Sequence, residues 1–249
     1  MASSKIILIT GANSGIGYAT TKFIVSHSGY HVIMGCRDTK KGQAALDEIK
    51  SSSDVKGTLS VLQLDVTDDF SIAAAVSQVE KEFGRVDAFL SNAGITAHGY
   101  SAREQLSKIF ATNVMGAYLT SQSFVPLLLK SDHPCLIQVS SGLGSLGLAA
   151  NPADPHYNAP WEGYRMSKAS LNMATLQQHK QLHSQNVRVF AYCPGLVRSN
   201  LRGESEDAVS AGGAAGDPMN SARGLFDIIK GKRDSEVGQF LNANGTYPW

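Results

Sequence analysis

Short apolar runs alternate with longer amphipathic segments along the whole chain. The runs with strand composition are Ile6–Thr10, His31–Cys36, Leu59–Leu64, Val86–Ser91, Leu136–Ser140, Val187–Tyr192 and Gln239–Leu241. Segments of helical length lie between them, at Ile16–Ser28, Lys40–Ser51, Asp69–Phe83, Glu104–Leu129 and Gly163–Leu182. Most of the runs are continuously apolar, which is typical of strands covered on both faces. The pattern therefore predicts strands that alternate with helices around one buried sheet.

Strands that alternate with helices are joined by right-handed crossovers and form a parallel sheet. At 249 residues, the chain has a length that α/β proteins often fold as one unit. The sequence therefore predicts an α/β fold: a single-domain, Rossmann-type doubly wound parallel sheet of about seven strands, with helices on both faces, over residues 1–249. Asp68–Asp69 and Asn220 are predicted helix N-caps, and Gly29 and Gly84 are predicted to end helices.

The composition is that of an ordinary soluble protein. Hydrophobic residues make up 43% and charged residues 17% of the chain, and the formal net charge is +1. Nothing in this balance indicates a nucleic-acid surface or a basic membrane-binding patch. The scattered cysteines, Cys36, Cys135 and Cys193, form no C-x-x-C pair. We therefore expect buried free thiols, with neither a disulfide framework nor a metal site.

No segment predicts insertion into a membrane. The apolar run Ile6–Ile9 is too short for the core of a signal peptide or for a membrane span. Residues 111–129 are interrupted by Asn113, Gln122 and Pro126, so this stretch predicts a buried helix. We therefore expect a soluble, cytoplasmic protein with a small-molecule substrate and no nucleic-acid or membrane partner.

A glycine-rich turn follows the first predicted strand and precedes the first predicted helix. Gly11 would allow the tight turn, Gly15 would let the backbone approach a pyrophosphate, and Gly17 would let the helix pack closely on the strand. The N–H groups at the start of this helix attract phosphate. The turn therefore predicts a dinucleotide site formed by Gly11, Asn13, Ser14, Gly15, Ile16 and Gly17.

The spacing of Thr10-Gly11, Gly15 and Gly17, T-G-x-x-x-G-x-G, resembles the short-chain dehydrogenase/reductase family, and the resemblance extends over the whole chain. It implies that Asp65 contacts the adenine and that Asn92 steadies the sheet beside the cofactor. The further cofactor-binding positions that it implies are Val66, Ala93 and Gly94 of the N-A-G motif, Pro194, Gly195, Val197 and Ser199. Ser199 replaces the usual threonine of the family and keeps its hydroxyl.

The end of the second strand bears on the choice between NAD and NADP. An acidic residue there binds the ribose 2′-hydroxyl of NAD, whereas a basic residue suits a 2′-phosphate. Arg37 follows the strand directly, and its guanidinium can bind a phosphate through two donors. Asp38 lies at about the distance from Gly17 expected for an acid that selects NAD, but one residue further into the loop. By alignment with the family we predict NADP(H), with Arg37 on the phosphate, and NAD is the alternative.

Residues 164–168 form a Y-x-x-x-K motif near the start of a predicted helix. Residues four apart share a helical face, so the Tyr164 phenol and the Lys168 ammonium can meet one ligand. Alone, this motif is more often a half-buried tyrosine with a solvated lysine. In this chain, however, Asn113, Ser141, Tyr164 and Lys168 match in order the catalytic Asn-Ser-Tyr-Lys tetrad of the family. Ser141 is preferred to Ser140 because it begins the S-x-x-G pattern of the family.

The resemblance implies a role for each member of this tetrad. When a carbonyl accepts a hydride from NADPH, its oxygen needs a proton, which Tyr164 would donate. Tyrosine has an ordinary pKa of about 10, and we expect Lys168 and the oxidised nicotinamide to lower it. Lys168 would also bind the nicotinamide ribose, Ser141 would hold the carbonyl oxygen, and Asn113 would anchor a water that relays protons.

One departure from the family concerns the substrate end. The interval from Ser141 to Tyr164 is 23 residues, about ten longer than is usual in the family. Residues 95–100, 142–162 and 198–220 are predicted to be loops that line the substrate pocket, and the last could form a lid. An aromatic or polycyclic carbonyl substrate is suggested by His98, Tyr100, Tyr157 and Trp161.

Three stretches resemble the Sniffer-type carbonyl reductase subgroup: residues 36–38, 164–173 and 240–249. This resemblance implies NADPH-dependent reduction of a ketone or an aldehyde to an alcohol, by an enzyme that could be a homodimer or a homotetramer. Two alternatives stay open. One is a redox-neutral dehydratase, epimerase or cyclase of the same family, and the other is a sensor that binds NADP without turnover.

Overall fold

A computed structural model describes residues 4–52 and 54–249, and a sheet of eight strands lies at its centre. The strands are β1 (Lys5–Thr10), β2 (Tyr30–Cys36), β3 (Thr58–Gln63), β4 (Ala88–Ser91), β5 (Cys135–Val139), β6 (Arg188–Tyr192), β7 (Phe240–Asn242) and β8 (Gly245–Tyr247). Their order across the sheet is β3-β2-β1-β4-β5-β6-β7-β8. Every neighbouring pair is parallel except β7 with β8, which are antiparallel. The predicted α/β fold with a doubly wound parallel sheet is confirmed.

The strand that sequence patterning missed is β8. It has three residues, Gly245, Thr246 and Tyr247, which carry no apolar run, and it pairs with β7 through a short hairpin. The other strands lie within one or two residues of the predicted bounds. The sheet therefore has one strand more than the seven expected.

Helices connect the strands and cover the sheet. The α-helices are α1 (Gly15–Val25), α2 (Thr39–Lys50), α3 (Asp69–Phe83), α4 (Ala102–Phe110), α5 (Ala117–Leu128), α6 (Leu146–Ala149), α7 (Glu162–Leu182), α8 (Glu206–Ser210) and α9 (Pro218–Ile229). Short 3-10 turns occur at Gly142–Gly144, His183–Gln185, Asn200–Arg202 and Asp234–Glu236. No helix in the described part of the chain is both long and apolar enough to span a lipid bilayer.

Alternate side chains of the strands enter two apolar cores, one on each face of the sheet. In β1, Ile7 and Ile9 enter the first core, and Ile6 and Leu8 enter the second. Side chains from α1, α2 and α9 close the first core, while α3, α5 and α7 close the second. The sheet is therefore buried on both faces, which explains why its strands are continuously apolar in sequence.

Two of the predicted residues at helix ends, Asp68 and Gly84, have the expected role, and two, Asn220 and Gly29, do not. The Asp68 carboxylate accepts the Phe70 N–H at the start of α3, and Gly84 ends this helix with a left-handed φ of +74°. The prediction that Asn220 caps a helix was wrong, because Asp217 caps α9. Pro, which follows as the first helical residue, favours this earlier start. Gly29 lies in the turn before β2, well after α1 has ended.

The predicted helix Glu104–Leu129 is not continuous. Its first part, α4, begins at a capping box formed by Ser101 and Glu104. A π-helical segment, Ala111–Gly116, then separates α4 from α5. Such a segment holds an extra residue in the helical turn, changes the direction of the side chains and often occurs at functional sites. Here it contains Asn113, one of the predicted catalytic residues.

The neighbouring strands β1 and β4 mark the point where the connections change direction. From β1 the chain continues to β2 and β3 on one side, whereas β4 leads to β5, β6 and β7 on the other. Crevices outside the carboxyl ends of the strands at such a point are where open α/β sheets bind ligands.

Candidate active site

A cleft of about 400 Å³ opens at the carboxyl ends of the central strands. Of the predicted cofactor and catalytic residues, all but two line it: Gly11, Asn13, Ser14, Gly15, Ile16, Arg37, Asp65, Val66, Asn92, Ala93, Gly94, Ser141, Tyr164, Lys168, Pro194, Gly195, Val197 and Ser199. The two exceptions, Gly17 and Asn113, are buried behind this lining. Residues far apart in sequence are thus brought to one surface of suitable size for a small-molecule site.

The glycine turn between β1 and α1 has the geometry expected from its sequence. Gly11 has a left-handed φ of +64°, which makes the tight turn possible without strain. A Cβ at Gly17 would overlap the carbonyl oxygen of Gly11 and lie 2.7 Å from Nδ2 of Asn92. Helix α1 can therefore start this close to the sheet only because residue 17 has no side chain.

The start of α1 leaves hydrogen-bonding groups available to a ligand. Ser14 is the N-cap residue, but its hydroxyl makes no capping bond to the helix backbone. The first N–H groups of a helix have no partner within the helix itself. Since Ser14, Gly15 and Ile16 line the cleft, a phosphate placed there would meet a hydroxyl, free N–H groups and the positive end of the helix dipole.

Arg37 and Asp38 differ in what their side chains do. Arg37 is exposed at the end of β2 and lines the cleft. The Asp38 carboxylate caps α2, accepting the backbone N–H groups of Lys40 at 2.9 Å and Lys41 at 3.1 Å. These hydrogen bonds, that from Lys41 foremost, hold the pKa of Asp38 below its ordinary value. Asp38 therefore has a structural role that explains its presence without any ribose contact.

Asn92 joins the ends of two neighbouring strands. Its Nδ2 donates to the carbonyl oxygens of Thr10, at 2.9 Å, and Gly11, at 3.2 Å. In return, the Thr10 hydroxyl accepts the backbone N–H groups of Asn92 and Ala93. The contacts fix the glycine turn against the end of β4. From the sequence, Thr10 was recognised only as the first residue of the glycine motif, and this bonding role of its hydroxyl was not predicted.

Asn113 is fully buried, and its amide holds the segment after β4 in place. Its Oδ1 accepts the Ile95 N–H at 2.8 Å, and its Nδ2 donates to the Ile95 carbonyl at 2.9 Å and to the Ser167 hydroxyl at 3.1 Å. The side chain therefore links the π-helical segment to residue 95 and to α7. The water relay assigned to Asn113 stays a prediction.

Tyr164 and Lys168 project from the first turns of α7 into the cleft wall, and both are buried. The Lys168 Nζ lies 5.6 Å from the centre of the Tyr164 ring and donates to the Val139 carbonyl at 2.8 Å. Ser141, which follows β5, is a hydrogen-bond partner of the Tyr164 phenol, and this bond lowers the pKa of the phenol. Ser140, by contrast, bonds Asn172 in the interior. Phenol, ammonium and the predicted serine hydroxyl are thus adjacent.

Burial acts on the pKa values of both members of this pair. It raises the pKa of Tyr164, and the opposing effects come from Ser141 and Arg202. The lowering expected from Lys168 together with an oxidised nicotinamide stays a prediction. Burial also lowers the pKa of Lys168 from 10.5 to about 8. Tyr164 is therefore a protonated phenol at neutral pH, and most of Lys168 is charged.

The segment after β6 forms another wall of the cleft. The Pro194 carbonyl accepts the Ser221 hydroxyl at 2.7 Å, which ties this segment to α9. Gly195 has a φ of +78°, so the chain turns sharply there. The Cβ of Ser199 lies 3.2 Å from where a Cβ of Gly15 would be, and this proximity brings the segment against the glycine turn.

Arg202 is a cleft residue that was not predicted from the sequence. It lies in the 3-10 turn Asn200–Arg202, lines the cleft, and carries a positive charge that lowers the pKa of Tyr164. Leu201 and Thr96 also line the cleft and are joined there, because the Thr96 hydroxyl donates to the Leu201 carbonyl at 2.7 Å. Arg202 belongs to no sequence motif, and the sequence placed it only within the predicted loop 198–220.

Residues 142–162 are not among those that line this cleft, although Trp161, near the end of this interval, contacts the Tyr164 ring. That the interval borders the substrate stays a prediction. Residues 142–162 contain a 3-10 turn and α6, and they pack on the carboxyl-terminal tail. The Ser145 hydroxyl donates to the Pro248 carbonyl at 2.6 Å, and the Gly147 N–H donates to the Trp249 carbonyl. A side-chain hydrogen bond between His156 and Asp154 stabilises the same segment. The segment thus serves to close the fold around its tail.

Of the four aromatic residues proposed for the substrate mouth, Trp161 contacts Tyr164, and His98 contacts Trp161. The Trp161 ring meets the Tyr164 ring edge to face with centres 6.2 Å apart, and His98 lies 6.5 Å from Trp161. Trp161 adopts a left-handed φ of +77°, a strained conformation for a bulky residue that often marks functional sites. Tyr100 and Tyr157 are instead about half exposed. The cysteines, Cys36, Cys135 and Cys193, are buried free thiols.

Comparison with known proteins agrees with this geometry. A family model described as short chain dehydrogenase matches residues 5–210. The short-chain dehydrogenase/reductase tropE of Talaromyces stipitatus is 32% identical over 264 residues, covering 98% of this chain and 97% of the relative. The NADPH-bound carbonyl reductase from chicken fatty liver is 27% identical with a TM-score of 0.83, covering 99% of this chain and 100% of that chain. The carbonyl reductase Sniffer of Caenorhabditis elegans has the same identity and coverage, with a TM-score of 0.75.

Proposed function

The chain belongs to the short-chain dehydrogenase family, and we propose that it is an NADPH-dependent reductase that converts a ketone or an aldehyde into an alcohol. One observation carries the proposal. The phenol of Tyr164, the ammonium of Lys168 and the hydroxyl of Ser141 are adjacent on the wall of a cleft that also contains the glycine turn. A proton donor and a phosphate-binding helix start thus share one cavity.

The residues of the cleft fit the nicotinamide cofactor that the family uses. The uncommitted hydroxyl of Ser14 and the N–H groups at the start of α1 would hold the pyrophosphate. Arg37 would bind the 2′-phosphate of NADPH, and Asp38, which would favour NAD, is occupied in capping α2. The NADPH-bound state of the carbonyl reductase from chicken fatty liver supports the same choice. When bound, the reduced nicotinamide supplies a hydride to the carbonyl carbon.

Tyr164 would donate the proton that the carbonyl oxygen needs. Because burial raises its pKa, the phenol is protonated at neutral pH and can act as a general acid. The Ser141 hydroxyl would donate a hydrogen bond to the same oxygen and so hold it beside the phenol. After proton transfer, Lys168 and Arg202 are the nearby cations that stabilise the phenolate. This arrangement supports reduction as the favoured direction.

Lys168 and Asn113 would complete the site. Lys168 is held by the Val139 carbonyl at the end of β5, so its Nζ is fixed close to both Gly94 and the tyrosine ring. Its remaining two N–H bonds would donate to the ribose hydroxyls of the nicotinamide half. The Asn113 amide would keep residue 95, and thereby one edge of the cleft, in position.

The first test compares the wild-type chain with Tyr164→Phe. Wild-type protein should consume NADPH in the presence of some member of a panel of aldehydes, diketones and quinones, as followed by the absorbance of NADPH. Removal of a general acid costs about 10²- to 10⁴-fold in rate, so kcat of the variant should fall by that factor, while its affinity for NADPH should stay the same. Unchanged turnover by the variant would exclude Tyr164 as the acid. NADPH binding without consumption by the wild type would favour the sensor, and product formed without NADPH consumption would favour a redox-neutral reaction.

The choice of NADPH has its own test in Arg37→Ala. Loss of a charge-assisted hydrogen bond should raise the KM for NADPH by about 10- to 100-fold, with little change in the KM for NADH. Lys41→Ala is the matched control, because Lys41 is also an exposed cation beside β2 but does not line the cleft. Equal effects of Arg37→Ala on the two cofactors would refute the assignment of Arg37 to the 2′-phosphate.

A further inference from the structure

Arg202 is held rigidly by the backbone of its own loop. Its Nε donates to the Ala208 carbonyl, and its Nη2 donates to the carbonyls of Val197 and Val209, each at 2.8 Å. Bonds to three carbonyl oxygens fix both the position and the plane of the guanidinium. The loop therefore presents Arg202 to the cleft in one orientation, at the cost of little further ordering when a ligand binds.

No carboxylate neutralises this cation. Among residues 4–52 and 54–249, no aspartate or glutamate lies within ion-pair distance of Arg202, and its Nη1 makes no hydrogen bond. Arg198, four residues earlier, pairs with Glu206 at 2.8 Å. Arg202 is also partly buried, and burial lowers the pKa of its guanidinium. A cation that is partly removed from water without a counter-ion is unfavourable and is characteristic of functional sites.

The position of Arg202 is at the reactive end of the cleft. Arg202 lines the same cleft as Tyr164 and Ser141, and its charge acts on the phenol that would meet the carbonyl oxygen. The edge-to-face contact of Trp161 with Tyr164, together with His98, provides an aromatic surface at the same end. Aromatic rings favour this kind of edge and offset contact with other rings. A fixed cation without a carboxylate partner and an aromatic ring thus both neighbour the proposed acid.

We infer that Arg202 is the anion-binding group of the substrate site, and that the preferred substrates are aromatic aldehydes or ketones bearing an anionic oxygen group such as a carboxylate. The inference rests on the proposed reductase function and names its substrate class. Nη1 of Arg202 would donate to the anionic oxygen of the substrate. The ring would lie against Trp161, with its carbonyl oxygen at Tyr164 and Ser141.

The test uses three benzaldehydes of similar shape with different charge at the para position. These are 4-carboxybenzaldehyde, its neutral methyl ester and the 4-trimethylammonio compound, each assayed with NADPH and the full chain. Arg202→Gln removes the charge and keeps two N–H donors for the loop carbonyls. Loss of a hydrogen bond to a charged group corresponds to about 10- to 100-fold. We expect that loss in kcat/KM for the carboxylate, a change below about 3-fold for the ester, and improved turnover of the cationic compound.

Arg198→Gln is the matched control, because it removes a cation from the same loop that is already paired with Glu206. It should leave the ratio of carboxylate to ester turnover unchanged. Improvement with the cationic substrate cannot arise from a damaged loop, so this arm separates recognition of charge from loss of structure. Equal losses for all three aldehydes in Arg202→Gln would assign Arg202 to loop structure alone and overturn the inference.

Two further measurements test whether Arg202 binds the substrate independently of the proposed reductase activity. Calorimetric binding of 4-(hydroxymethyl)benzoate should be lost in Arg202→Gln and kept in Arg198→Gln. This readout tests Arg202 independently of turnover. If the wild type reduces other carbonyl compounds but none of the three aldehydes, the substrate class is overturned, whereas no NADPH consumption with any carbonyl of the wider panel would contradict the reductase proposal. A parallel loss of NADPH affinity in Arg202→Gln would assign the guanidinium to the cofactor and overturn the substrate role.

Discussion

Replacement of Lys168 by methionine should stabilise the protein while it abolishes activity. Lys168 is 4% exposed, and burial lowers its pKa from 10.5 to about 8. The lowering means that the folded chain holds the ammonium less favourably than the unfolded chain does, by about 3 kcal/mol at neutral pH. The variant also loses the hydrogen bond to the Val139 carbonyl, which is worth about 1 kcal/mol. Lys168→Met should therefore be about 2 kcal/mol more stable than the wild type at pH 7.

The stability difference between Lys168→Met and the wild type should depend on pH. Between pH 8 and 10.5 the unfolded chain binds more protons at Lys168 than the folded chain does, so the stability of the wild type rises with pH across that window. Above it, lysine is neutral in both states and the cost disappears. The advantage of Lys168→Met should thus be complete below about pH 8 and lost by about pH 10.5. Titration of other groups is common to both proteins and cancels in the difference.

Thermal unfolding followed by circular dichroism measures this difference. For a chain of this length, 2 kcal/mol corresponds to a rise in Tm of about 4–8 °C at pH 7. Lys180→Met is the matched control, since Lys180 is exposed near the other end of α7, and it should change Tm little. A variant no more stable than the wild type at pH 7, or an advantage that is the same at every pH, would refute the reasoning. Reductase activity of Lys168→Met should be lost at every pH.

Three other substitutions separate positions that support the fold from those proposed for catalysis. Gly17→Ala should lower the free energy of unfolding by about 1–3 kcal/mol and weaken NADPH binding, because its Cβ would press on the backbone of the glycine turn; unchanged chemical denaturation would contradict this. Ser140→Ala should lower stability by about 1–3 kcal/mol, because it removes the partner of the buried Asn172 amide oxygen, whereas Ser141→Ala should lower activity at nearly unchanged Tm. Equal effects of the two serine variants on turnover would remove the distinction.

The fold could be predicted from the sequence because its physical requirements are local. A parallel strand covered on both faces must be apolar at every position, and this leaves a continuous run such as Ile6–Thr10. Helix ends need particular residues, as at Gly84. Where the requirement is not local, prediction failed. Asn113 lies in a π-helical segment and bonds residue 95, which is distant in sequence. The short strand β8 pairs only with β7.

The candidate site could be predicted only as far as its residues belong to motifs. The glycine turn and the Y-x-x-x-K motif combine residue type with fixed spacing, which is why the sequence could place them together. Arg202 belongs to no motif. It was singled out because no carboxylate in the described part of the chain pairs with it, and this can be seen only in the folded structure. The interval 142–162 carries no motif either. Its position near Tyr164 in sequence suggested the pocket, and the structure shows contacts of Ser145 and Gly147 with the tail and of Trp161 with Tyr164.

Burial and charge compete in setting the pKa of Tyr164. The sequence-based expectation considered the attraction of Lys168 and of an oxidised nicotinamide for a phenolate, whereas in the folded chain the cost of removing the phenol from water is the largest effect. Burial acts on both groups in the same direction, towards a neutral phenol and a neutral amine. In the proposed reaction, such a pair would release a proton only when a negative oxygen forms beside it, and a second cation such as Arg202 would stabilise the resulting phenolate. Burial disfavours the charged forms of both Lys168 and Arg202, so a site selected only for stability would contain neither cation.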